Sequence, residues 1–205
     1  MVSQQINDPD SDVPRRTAAN AISADVILDA ATGLMTTIGI RRTTMADVAR
    51  AADVSRATLY RRFPNVEAIA AQVTTREFER VVATAPIADG PVDRASLVAT
   101  VVHLVREARA HPLLQRIIDL DPEFLMPYLL HRSGRTSRGQ LAVITEFLIA
   151  GQTSGEVRDG DPERLATTVL QMAWSFALTG PVFAGDDLDI LDSELSDLLE
   201  RYLRP

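Results

Sequence analysis

Arg41-Arg-Thr-Thr-Met-Ala-Asp-Val-Ala-Arg-Ala-Ala-Asp-Val-Ser-Arg-Ala-Thr-Leu-Tyr-Arg-Arg-Phe63 contains two short helices, each with its own start signal. Thr44 stands three residues before Asp47, a carboxylate variant of the capping box, and predicts a helix of about two turns over 45–52. Asp53 and Val54 turn the chain. Ser55 then caps a second helix that carries Ala57, Leu59 and Phe63. Two short helices joined by so tight a turn are a helix-turn-helix signature. Within the stretch, six arginines (Arg41, Arg42, Arg50, Arg56, Arg61 and Arg62) against Asp47 and Asp53 give +4, whereas the whole chain carries −7. An acidic chain that gathers cations on one helix pair is built to meet a phosphate backbone there.

Outward from this stretch the pattern stays helical. Ile27, Ala30, Ala31, Leu34 and Ile38 follow an i, i+3, i+4, i+7 spacing that Gly39 ends. Pro64-Asn65 marks a break, with Asn65 a cap and Glu67 in the first turn of a helix running to about residue 84. A loop is expected over 86–91. An apolar stripe of Leu97, Val101, Leu104, Val105 and Ala108 follows and stops at His111-Pro112. Short helices are expected at 112–119 and 122–132, the second opened by Asp121 as cap and Pro122 at the first helical position. A polar interruption spans 133–139, and a helix resumes over 141–150. Asp161-Pro162-Glu163 opens a long helix with Leu165, Val169, Met172 and Phe176 on one face. Leu188, Leu191, Leu195, Leu198 and Tyr202 mark the last. No strand pattern or repeat is present. The expected fold class is all-α, with a mobile arm at 1–20, a three-helix helix-turn-helix domain at 21–66 and a helical regulatory and dimerisation domain at 67–205.

Composition narrows the function. The 205 residues include no cysteine, which excludes a disulfide framework and a thiolate metal site. All 21 basic residues are arginine. The polar, acidic start has no basic region followed by an apolar run, so no secretory signal is expected and the default setting is cytoplasmic. Residues 165–185 carry no charge and are long enough on paper to span a bilayer. The recurrent Thr167, Thr168, Gln171, Ser175 and Thr179 and the Gly180-Pro181 break favour a buried interface helix. No nucleophile elbow, phosphate-binding loop or metal spacing occurs, and His103, His111 and His131 lack helical ligand spacing for zinc. No catalytic residue, cofactor or metal is therefore expected.

In the second helix of the pair, Leu59 lies four residues from both Ser55 and Phe63, which defines the packed side. Arg56, Ala57 and Tyr60 fall on another side, free to face a major groove. Arginine reads guanine O6 and N7 bidentately, alanine packs on a thymine methyl, and a tyrosine hydroxyl reaches a base or phosphate. Thr44, Thr58, Arg61 and Arg62 are placed for backbone phosphates, which fix register without reading sequence. Arg15 and Arg16 in the arm are further DNA candidates, with a solvated tail as the alternative.

These residues carry a resemblance. Residues 22 to about 70 resemble the N-terminal domain of the tetracycline-repressor (TetR) family through Thr43-Thr44, Val48-Ala49, Ala52-Asp53-Val54-Ser55, Thr58-Leu59-Tyr60 and Phe63. The resemblance implies an all-helical dimer whose divergent C-terminal domain binds a small ligand and so changes DNA affinity. It also implies a DNA-contact set of Thr43, Thr44, Ser55, Arg56, Ala57, Thr58, Tyr60, Arg61 and Arg62. Two positions depart from the pattern. Asp53 replaces the usual turn glycine, tolerable because aspartate enters positive φ more readily than most residues. Val66 replaces the usual phosphate-holding lysine, so affinity leans on Arg61 and Arg62.

Beyond residue 70 the resemblance is one of architecture. The apolar faces in 162–180 and 187–203 are expected to form a two-fold four-helix dimer interface, the alternative being that they close the monomer's own core. His103, Phe124, Met126, Tyr128, Gln171, Met172, Trp174 and Phe176 are the candidate ligand contacts, each singly also compatible with core. The predicted function is a repressor that binds a palindromic duplex operator as a homodimer and is released by a small hydrophobic or amphipathic effector. The alternatives are a ligand-independent DNA-binding protein, a helical small-molecule binder or interaction module, and an enzyme.

Overall fold

The computed structural model describes residues 24–86, 93–127, 134–185 and 187–205, and these are helical with no strand among them. The arm at 1–20, with Arg15 and Arg16, lies outside the described residues, as do Tyr128, His131 and most of the 86–91 loop.

The first three helices are α1 (Ala24–Ile38), α2 (Met45–Ala51) and α3 (Arg56–Arg62). In α1 the fully buried line runs through Ile27, Leu28, Ala31 and Met35, with Ala30 and Leu34 flanking it. Thr44 completes the capping box of α2: Asp47 N–H donates to Thr44 Oγ1 at 3.1 Å and Thr44 N–H donates to Asp47 Oδ2 at 3.3 Å. Asp53 takes φ 52°, the left-handed turn that the sequence assigned to it. Ser55 caps α3 by accepting from Thr58 N–H at 3.1 Å. Leu59 is fully buried and Phe63 nearly so, which pins α3 to the same core as Val48 and Ile69. Truncating such a leucine to alanine costs about 2–5 kcal/mol.

Helix α4 (Val66–Ala83) begins at the Asn65 cap, which accepts from Ala68 N–H at 2.9 Å. Its first half, through Ile69, Ala70 and Val73, belongs to the core of α1–α3. Its second half packs against the helices that follow. These are α5 (Arg94–Ala110), α6 (Pro112–Leu120), a 3-10 turn (Pro122–Phe124), α7 (Arg135–Thr153), α8 (Pro162–Leu178), the short α9 (Gly180–Ala184) and α10 (Leu188–Leu203). The Asp161 carboxylate caps α8, accepting from Glu163 N–H at 2.9 Å and Arg164 N–H at 3.4 Å, as Asp-Pro-Glu predicted.

Two expectations about these helices change. Within the segment expected as an interruption, the chain is helical from Arg135, where α7 starts, and Thr136 meets the hydroxyl of Thr75 at 3.0 Å, so polarity here marks a contact with α4. Asp121 gives no side-chain cap to the helical turn after it. Its carboxylate is used elsewhere, as described below.

A second core joins α5, α7, α8 and α10 through Leu97, Val101, Val105, Leu148, Leu165, Val169, Leu195 and Leu199. Met172, Phe176 and Tyr202 pack against it. Much of the apolar face of α8 and α10 therefore closes around α5 in the same chain. Asp192 of α10, buried, accepts from Arg106 Nε at 2.7 Å and is ion-paired with the buried Arg109 of α5. Among the apolar side chains left outside at this end are Val182 (79% exposed), Phe183 (87%), Leu188, Ile190 and Leu198. No helix among the described residues is long and apolar enough to cross a membrane.

Candidate nucleic-acid interface and internal cavity

Arg56, Ala57, Tyr60, Arg61 and Arg62 all stand exposed on α3, opposite the Leu59 anchor. Tyr60 is 55% exposed, high for an aromatic residue on so short a helix. A concave surface runs beside it between the starts of α2 and α4, walled by Arg41, Thr44, Arg56, Tyr60 and Asn65. Ser55 and Thr44 are exposed at the two caps, and Thr58 is half-buried with its hydroxyl 2.9 Å from that of Ser55. Thr43 differs from the others in the set. It is only 4% exposed, and its hydroxyl donates to Gly39 O at 2.7 Å, so it braces the α1–α2 loop from within.

The charge of this face is distributed unevenly. Arg50 pairs with Asp47 at 2.6 Å, and Arg41 pairs with Glu123 at 3.0 Å and Asp121 at 3.8 Å. The Thr44 hydroxyl beside Asp47 holds that carboxyl below the usual aspartate range. Among the described residues, Arg42, Arg56, Arg61 and Arg62 meet no carboxylate within ion-pair distance. These four exposed, uncompensated guanidiniums supply the charge and bidentate geometry that phosphate and guanine require.

Between α4, α5, α6, α7 and α8 lies an apolar cavity of about 170 Å³. Helix α8 meets it with Leu170, Ala173, Trp174, Ala177 and Leu178. Of the residues named from sequence as ligand contacts, Trp174 lines this space. His103 instead bonds Thr84 at 3.1 Å, Phe124 packs on the first core, Met126 and Gln171 are exposed, and Met172 and Phe176 pack on the second core. The reason is helical phase: the cavity side of α8 is set one residue away from the Met172–Phe176 line, a choice that depends on which helix lies opposite.

Glu77, which lines the cavity, and Asp121, which lies at the end of a helix that does, were not read from the sequence as functional residues. Glu77 sits on the Ile69, Val73, Val81 line of α4, each four residues apart, so a carboxylate on an otherwise apolar buried face was the available signal. Asp121 carried a misleading one, because Asp-Pro-Glu reads as a helix start. In the fold its Oδ2 accepts from Ile40 N–H at 2.6 Å and its Oδ1 from Arg41 N–H at 3.3 Å. Helix α6, which ends at that aspartate, lines the cavity with Leu113, Leu114 and Ile117, and Arg116 Nε donates to Thr36 O of α1 at 2.8 Å. One helix thus touches the cavity on one side and the helix-turn-helix entry on the other.

Residues 27–73 match the model of bacterial regulatory proteins of the tetR family. HTH-type transcriptional regulators of Mycobacterium bovis and Mycobacterium tuberculosis are 35% identical over 183 residues, covering 86% of this chain and 92% of each relative. Among solved structures, the fatty acid degradation regulator FadR from Bacillus halodurans aligns with a TM-score of 0.60 at 20% identity, over 86% of this chain and 93% of that one. The repressor QsdR of R. erythropolis aligns with a TM-score of 0.63 at 17% identity, over 88% and 96%. RolR in complex with resorcinol also gives 0.63, at 18% identity over 87% and 86%. With its cationic recognition helix presented on a capped helix pair, the chain belongs to the TetR family of bacterial DNA-binding transcriptional regulators.

Proposed function

We propose that this regulator is a ligand-responsive repressor: a cytoplasmic homodimer that holds a palindromic operator until a small effector enters the cavity. In this reading residues 21–66 are the DNA-binding unit and 67–205 the regulatory and dimerisation unit. Arg56, Ala57 and Tyr60 read bases, while Thr44, Ser55, Thr58, Arg61 and Arg62 hold the backbone. The exposed Val182, Phe183, Ile190 and Leu198 are the apolar surface a second copy covers, and the two-fold axis sets two recognition helices about 34 Å apart.

The observation that carries the reading is the double duty of α6. Its Leu113, Leu114 and Ile117 wall the cavity, and Asp121 at its end grips the backbone of Ile40 and Arg41, just before α2. A ligand that wedges α6 outward moves that grip, and with it the orientation of α2 and α3. The ligand acts by population shift, so it must bind the DNA-incompetent arrangement more tightly. The resorcinol named in the RolR structure is a small ligand of the size this cavity would take.

The test is selection from random duplexes followed by ligand titration. The reading expects palindromic winners with half-site centres about one helical turn apart, and loss of the complex with a ligand that also perturbs Trp174 emission. Non-palindromic winners, or a cavity ligand that leaves DNA affinity unchanged, would contradict it.

A further inference from the structure

The polar atoms in the cavity wall are few, and most are already engaged. Thr74 donates to Ala70 O at 2.8 Å, and Thr136 shares its hydroxyl with Thr75. Glu77 Oε1 accepts from Arg80 Nη1 at 2.9 Å and from Arg76 Nη2 and Thr32 Oγ1 at 3.3 Å. The other oxygen, Oε2, faces only His111 Nε2 at 3.6 Å, too long for a hydrogen bond. His111 Nδ1 accepts from Leu113 N–H at 3.3 Å, which places the neutral ring's proton on Nε2. Gln140 Oε1 is buried with no hydrogen-bond partner. Of these two acceptors, the Gln140 amide oxygen is buried and unmet, which is costly, and Glu77 Oε2 has only the long His111 contact. Among the described residues, no arginine lines the cavity.

We propose that the cavity selects a compact, single-ring apolar molecule bearing a hydrogen-bond-donating head, a hydroxyl or an ammonium group, and discriminates against carboxylates. This rests on the reading of the cavity as the effector site. Size sets the body: 170 Å³ is close to the ~150 Å³ cavity that holds a benzene ring. Charge sets the head. A donor satisfies Glu77 Oε2, and a second donor on the same ring serves Gln140. A ligand carboxylate would lie against the Glu77 carboxylate in low dielectric, with Arg76 and Arg80 already bound to Glu77 Oε1 and to Asp29. Because Glu77 Oε1 also takes the Thr32 hydroxyl of α1, a ligand on Oε2 acts on a group that joins the cavity to the DNA-binding helices.

The experiment titrates the full-length protein with cyclohexylmethanol, cyclohexylmethylamine, cyclohexanecarboxylate and decanoate, read by the emission of Trp174, the single tryptophan, and by thermal shift. The alcohol or the amine is expected to bind about tenfold or more tightly than either carboxylate, the interval a hydrogen bond to a charged group supports. The ratio of alcohol to amine tells whether the head is neutral or cationic. Glu77→Gln should abolish a preference for the amine. Gln140→Leu, which leaves the Glu77 network intact, should weaken binding of a ring with two donors, 1,3-cyclohexanediol, more than that of cyclohexylmethanol. Tightest binding by a carboxylate, no binding by any ring to millimolar concentration, or a series unmoved by both substitutions would overturn the proposal. A carboxylate that dissociates DNA sinks this chemistry while leaving the effector reading intact. A ring alcohol that binds as expected without touching the DNA complex does the reverse.

Discussion

Asp121 reaches across the fold to accept the Ile40 backbone N–H at 2.6 Å, and Gly39 makes room for it. Gly39 holds φ +88°, and a Cβ there would lie 2.6 Å from Asp121 Oδ2. Gly39→Ala should cost about 1–3 kcal/mol through backbone strain and this overlap. Asp121→Ala should cost about 1–3 kcal/mol by stranding the buried Ile40 N–H. The double variant should lose less than the sum, since removing the carboxylate removes the overlap. Chemical denaturation at one fixed protein concentration checks this, and strict additivity would show that the two residues are not coupled.

Arg56 and Arg61 are both exposed on α3 but face different partners in the account. Arg56→Ala should reduce discrimination at one base pair of each half-site by about 1–3 kcal/mol. Arg61→Ala should weaken all duplexes alike. Competition binding against single-base operator variants separates the two behaviours. A uniform loss from Arg56→Ala would reassign that residue to the backbone.

The Asp192 carboxylate lies between Arg106 and the buried Arg109, tying α10 to α5. Asp192→Ala leaves the Arg109 charge buried and unpaired, a change that costs about 3–5 kcal/mol. Differential scanning calorimetry should show a large fall in Tm, while replacing Arg106, which is over half exposed, should change little.

Asp29 of α1 is held below the ordinary aspartate value of 3.8 first by its hydrogen bond from Arg80, and also by the charge of Arg76. A lowered carboxyl contributes stability that is present above the ordinary value and lost as pH falls through the lowered one. The α1–α4 contact should therefore weaken only in that acidic window. Thermal melts of Asp29→Asn across pH should converge on those of the parent there, and a difference that grows toward acid would contradict the sign.

The capped helices were legible because their signals are local: Thr44 with Asp47, Ser55 with Thr58, and Asp161 with Pro162 lie within one turn of each other. The positive φ of Asp53 was legible for the same reason. The cavity wall was not, since α8 offers apolar residues on more than one side and only the position of α5 and α7 decides between Trp174 and Phe176. Asp121 shows the limit most clearly. Its local grammar is that of a cap, but a bond partner 81 positions away in sequence takes its carboxylate. Thr43, read as a DNA contact by resemblance, is claimed by Gly39 inside the fold.

The most direct measurement of DNA docking is the salt dependence of affinity for a selected duplex. Arg42, Arg61 and Arg62, doubled by symmetry, predict that log K falls with log salt at a slope on the order of −5, from about −0.9 per phosphate met. A slope near zero would contradict the account, because the chain carries a net charge of −7 and this face is where its cations concentrate.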